Sequence, residues 1–169
     1  MDKDHKMQWI GRSKGFFLSA QCIAIEKKNG ALFRAPIAHL IAHGLELLLK
    51  YELIINGYSD NELKKVGHNL MEMWKLDECK NIRDLSLKHL DRAWKDAGES
   101  GRYECNFESS CEVALEESIK MLSRLHTAES NYAGRYPSIS TETAPVPLIL
   151  LDTFLPTVED VLYKFGKEK

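Results

Sequence analysis

Four polar side chains interrupt an otherwise apolar stretch between Arg34 and Asn56: His39, His43, Glu46 and Lys50. Spaced four, three and four residues apart, they fall within roughly 60° of one another on a helix. They therefore form a single polar stripe. Two imidazoles one turn apart can reach one cation, and histidine is the side chain that gains and loses protons near neutral pH. Glu46, however, does not stand where an H-E-x-x-H motif would put it, and no third ligand can be named from the sequence. The stripe reads as a binding or proton-handling surface, with no metal or cofactor assigned to it. Glu46 and Lys50 also make an ordinary i,i+4 ion pair in the favourable order. A polar seam satisfied by neighbouring helices is thus the structural reading beside the functional one.

A second kind of chemistry is suggested by Arg83 and His89. Arginine supplies a fixed cation for phosphate and histidine an acid or base, the combination that metal-independent RNA cleavage needs. His89 would move protons and Arg83 would clamp the phosphate. Five intervening residues leave the two side chains about 120° apart on one helix, so a neighbouring element or a second subunit would have to complete the site. Arg34 and His39 repeat the pairing with four residues between them. His126, four residues after Leu122, falls on an inward helix face, as does His89; with the stripe they could meet in one interior cavity. Arg135 and Tyr136, just before Pro137, form a compact aromatic-basic patch. It suits stacking on a base or holding a phosphate, or else anchoring its loop to the body of the protein.

The elements that must position these groups are helical. The stretch Arg34 to Asn56 is built from strong helix formers, with Pro36 suited to its first turn, and it is apolar nearly all the way round. Such a helix belongs in the middle of a bundle. Before it, Ser13 to about Lys28 has a broad apolar face and ends at Asn29-Gly30, which predicts a helical hairpin. After it, Gly67-His68-Asn69-Leu70 leads into a short helix. Asp77 or Asn81 caps a third long helix running to about Ala97, and Ser109 or Ser110 starts a fourth, Ser109-x-x-Glu112 having the form of a capping box. Residues 129–147 are proline-rich and read as a long loop. Pro156 then opens a closing helix to about Gly166. No segment alternates in the manner of a strand. The fold is all-α, a bundle of four to five helices in antiparallel hairpins forming one domain over residues 1–169, with its core at about 13–128.

Composition narrows the partners. A chain of 169 residues with formal charge −2 and mixed charges offers no constitutive electrostatic grip on nucleic acid, although a local basic patch is compatible with it. Four cysteines without a C-x-x-C pair, and no apolar leader with a cleavage site, point to a reduced, cytoplasmic protein. The aliphatic run Leu148 to Leu151 is far too short to span a bilayer, so no membrane partner is expected.

The run APIAHLIAHGLELLLKYEL, followed by a polar loop and then Gly67-His68-Asn69-Leu70, resembles the HEPN-type helical domains of bacteria and archaea. The matching residues are Glu46, Leu47, Leu49 and Lys50 of an E-L-x-L-K stretch, then Gly67, His68 and Leu70 of a G-H-x-L turn. Leu125-His126 and Arg135-Tyr136-Pro137 are also similar to some branches, so the resemblance covers about residues 13–136. It implies a four- or five-helix bundle, a homodimer, and a place in toxin–antitoxin, phage-defence or stress systems. Active members are metal-independent ribonucleases that use an Arg followed four to six residues later by His, which points to Arg83 and His89 here. In that case His39, His43, Glu46, Lys50 and His68 would line a polar pocket beside them. The expected function is an RNA- or nucleotide-associated module with possible ribonuclease activity. The alternative is a catalytically inert helical interaction module whose partner protein is unknown.

Overall fold

The computed structural model describes residues 3–26, 30–101, 110–127 and 146–167. Arg135 and Tyr136 lie outside the described residues. Within them there are seven α-helices, one 3-10 turn and no strand. The helices are α1 (Lys3–Glu26), α2 (Gly30–Ile55), α3 (Asp60–Val66), α4 (Leu70–Lys75), α5 (Lys80–Ser100), α6 (Cys111–His126) and α7 (Pro147–Lys167), with the 3-10 turn Asp77–Cys79 between α4 and α5. Five are long and two are short. No helix among the described residues is long and apolar enough to cross a membrane.

α2 is the axis. Ile37, Ile41, Leu45, Leu48, Leu49, Leu53 and Ile54 are buried around most of its circumference, and it packs against α1, α4, α5, α6, α7 and the 3-10 turn. Burying so many aliphatic side chains, at about 1.5–3 kcal/mol each, is what fixes the helix in the centre. α1 contributes one face, Ile10, Ser13, Phe17 and Ala20. Ser13 donates its hydroxyl to the Gly44 carbonyl at 2.7 Å, and Phe16 stacks on His43. Ascending α1 thus descends α2, and the pair is antiparallel. Gly44 permits the closest approach: a Cβ there would lie 2.9–3.0 Å from the Phe17 ring. Phe17 in turn stacks on Phe154 of α7.

Three helices begin earlier than the sequence suggests. α1 starts at Lys3, ten residues before Ser13, because Ile10 is fully buried and draws the charged N-terminal stretch into the helix. α2 starts at Gly30, so Pro36 sits in the second turn. α7 starts at Pro147, with Pro156 inside it. A mid-helix proline removes one backbone hydrogen bond and costs about 3 kcal/mol. In α7 the burial of Ile149, Leu150, Leu151 and Phe154 outweighs that cost. Thr153 and Thr157 flank the proline and donate to the carbonyls of Ile149 and Thr153, both at 2.7 Å.

The segments between long helices are held by caps. Ser59 and Glu62 form a capping box on α3, Asn69 accepts from the amides of Met71 and Glu72 on α4, and Ser110 accepts from Val113 on α6. Gly67, at φ 70°, makes the turn from α3 to α4 in a region that a side chain would strain. That turn delivers His68.

Candidate functional site

The stripe on α2 is the floor of a polar centre that three elements complete. Glu46 is 5% exposed. Its Oε1 accepts from the Lys50 ammonium at 2.7 Å and from His68 Nδ1 at 2.8 Å, while Oε2 accepts from His126 Nε2 at 2.7 Å. Lys50 comes from the next turn of α2, His68 from the α3–α4 turn, and His126 from the last residue of α6. The placement of the two histidines is enforced locally. Ser123, one turn before His126, donates to Asn69 Oδ1 at 2.8 Å, and Asn69 is the cap next to His68. α6 and the α3–α4 turn are therefore pinned together beside Glu46.

Burial alone would raise the Glu46 pKa. The hydrogen bonds from His126 and Lys50, with the charges of Lys50 and His68, outweigh it and hold the carboxyl well below its ordinary value. Glu46 is thus a fixed anion in the protein interior, with a cation on the same helix. Because a carboxylate only accepts, His126 must direct its Nε2–H at Glu46, and in the neutral ring Nδ1 is then the nitrogen with a lone pair.

On one side of this carboxylate lie the remaining imidazoles. His39 and His43 meet edge to face at 4.5 Å between ring centres, His43 and His126 at 4.6 Å, and His39 and His126 at 5.8 Å. Phe16 from α1 lies against the other partner of the group, stacking on His43 at 5.3 Å. On the side of Lys50 and His68 a cavity of about 380 Å³ opens, lined among others by His5, Trp9, Lys50, Lys64 and His68. His5 and Trp9 are stacked, with their rings 22° from parallel. The His68 side chain is 62% exposed, so the buried carboxylate reaches the cavity through it.

The structure brings together His39, His43, Glu46, Lys50 and His68, and of the two inward-facing histidines His126 meets the stripe while His89 does not. It does not bring Arg83 and His89 together within the chain. The Arg83 guanidinium donates to the carbonyls of Trp74 and Leu76, the latter at 2.6 Å, at the end of α4. His89 faces Asp160 of α7 at 2.9 Å. The two line different cavities, one with Lys80 and Glu112 and the other with Arg92 and Asp152.

Two features escape sequence reasoning. His126 is recognisable as inward-facing, but no spacing links it to Glu46, eighty residues away. Trp9, His5 and Lys64 carry no motif at all; their proximity follows from α1 extending back to Lys3 alongside the Lys50 end of α2. Comparison of the chain with known protein families, curated proteins and solved structures finds no match.

Proposed function

We propose that this chain is an RNA- or nucleotide-associated helical module of HEPN-like type, and that a nucleotide unit occupies the cavity beside His68. The observation that carries this reading is the composition of that cavity. It combines an indole and an imidazole with the ammonium of Lys64 and the exposed ring of His68. Aromatic rings give a base a stacking surface worth about 1–3 kcal/mol. Lys64 supplies donors for phosphate, and Asp60 and the His68 nitrogen turned away from Glu46 can accept from a sugar hydroxyl or a base. Lys50 has its charge committed to Glu46, which leaves Lys64 as the cation and Asp60 as the anion of the lining. Of the residues that carry the resemblance to HEPN-type domains, Lys50, Gly67 and His68 line it, and Glu46 holds Lys50 and His68 from behind. That convergence supports keeping the two readings together.

The test is equilibrium binding of a nucleoside monophosphate and of a short single-stranded RNA, followed by Trp fluorescence. The expected result is saturable quenching by both. Trp9→Ala should weaken binding by about 5–150-fold, the equivalent of one lost stacking contact. Lys64→Ala should weaken it and flatten its salt dependence. Unchanged affinity in both variants would remove the cavity from consideration.

A further inference from the structure

We propose that His39, His43 and His126 form a binding site for one first-row divalent cation of the zinc class, with Glu46 orienting His126 from behind. Each of the three residues offers one ring nitrogen, and the three nitrogens lie within 4.8 Å of one another. In a tetrahedral zinc site with Zn–N bonds of 2.0–2.1 Å, ligand nitrogens stand about 3.4 Å apart. Closure therefore needs movements on the order of 1 Å, which half-buried rings on α2 can make by small rotations.

The second observation is independent of this spacing. His126 is 1% exposed, and its Nδ1 has no hydrogen-bond partner among the described residues. A polar atom left buried without a partner destabilises the fold unless something binds it. Its Nε2 is committed to Glu46 at 2.7 Å, so Nδ1 is the atom it has to offer. A carboxylate on one imidazole nitrogen and a metal on the other is the arrangement that fixes the tautomer and ring orientation of metal-binding histidines. Glu46, His68 and His126 also lie close enough to hold an ion. Their nitrogens, however, already donate to the carboxylate, so that group satisfies itself.

An all-imidazole set selects zinc, copper, nickel, cobalt or iron over magnesium or calcium. Three protein ligands leave one position for water or an incoming ligand, the pattern of a reactive centre rather than a closed structural one. The inference stands apart from the nucleotide reading, since the cation would sit at the His126 side of Glu46 and the nucleotide at the His68 side.

The experiment is titration of the chelator-treated full chain with Zn²⁺ against a chromophoric competitor, with Co²⁺ as a spectroscopic substitute. One equivalent bound per chain is expected, and Co²⁺ should give the intense visible absorption of a low-coordinate nitrogen site. His39→Ala and His43→Ala should each weaken Zn²⁺ binding at least about tenfold, and Glu46→Gln by about 10–100-fold. Should Glu46→Gln or His126→Ala fail to fold, imidazole NMR of the wild type decides instead. Zn²⁺ must then shift the rings of His39, His43 and His126 and leave His89 unmoved. No saturable micromolar binding by the wild type would overturn the proposal, as would wild-type affinity in the His39→Ala/His43→Ala double variant. Loss of nucleotide binding in Trp9→Ala with Zn²⁺ affinity intact would leave the cation site standing.

Discussion

Replacing Glu46 by Gln removes one charge from the centre of the protein, and the consequences can be worked from three distances. The carboxylate accepts hydrogen bonds at 2.7, 2.7 and 2.8 Å from Lys50, His126 and His68. An amide has one oxygen and turns its own donors toward the others, so at least one of the three is left without an acceptor. Lys50 is 8% exposed, and its ammonium would lose the counter-charge that faces it in the interior. Breaking a buried pair from one side costs about 3–5 kcal/mol. With a urea slope of about 2 kcal/mol/M, the midpoint should fall by about 2 M. Adding Lys50→Met should recover part of the loss, because the buried cation is removed along with its partner.

The pH dependence carries the same signature. The folded-state pKa of Glu46 lies below its unfolded value of about 4.3. Its contribution is fully present above that value and is lost as pH falls through the folded one. The gap between wild type and Glu46→Gln should therefore narrow in acid. A loss under about 1 kcal/mol at pH 7, or a double variant less stable than the single one, would refute the reasoning.

Further outcomes follow from other contacts. Gly44→Ala should lose about 1–3 kcal/mol in urea denaturation, because the new methyl meets the Phe17 ring at 2.9–3.0 Å and that ring is held by Phe154. Glu52, 3% exposed, has its pKa raised by burial, only partly offset by a hydrogen bond from Asn81 and the charge of Lys164. Its stabilising contribution is present below about pH 4.3 and is lost as pH rises through the folded value. Glu52→Gln should therefore match or exceed wild-type stability at pH 7, the two converging near pH 4; a clear loss at pH 7 would contradict this. Arg83→Ala should lower stability by about 1–2 kcal/mol through the freed carbonyls of Trp74 and Leu76 while leaving nucleotide affinity unchanged. Weakened nucleotide binding at full stability would return Arg83 to the site.

Much of the scaffold is legible in the residues themselves. The all-round apolar character of α2 announces its central place, and its one polar stripe announces the location of Glu46. What escapes is set by tertiary packing. Pro36 and Pro156 read as helix starts because local chemistry favours that position, yet both helices begin before them, and in α7 buried Ile149, Leu150, Leu151 and Phe154 carry the helix across Pro156. The site divides in the same way. His39, His43, Glu46 and Lys50 share a face because helix geometry requires it, whereas His126 and His68 arrive through the Ser123–Asn69 hydrogen bond between distant segments. Arg83 and His89 have the spacing of a catalytic pair, but each is occupied in holding helices together. Spacing along one helix says nothing about which neighbour a side chain meets.

The most direct measurement is histidine side-chain NMR of the wild-type chain during titration with a nucleoside monophosphate. The account predicts that the rings of His5 and His68 shift together and saturate, while His89 stays still. A response from His89 with His68 unmoved would place the ligand elsewhere and contradict it.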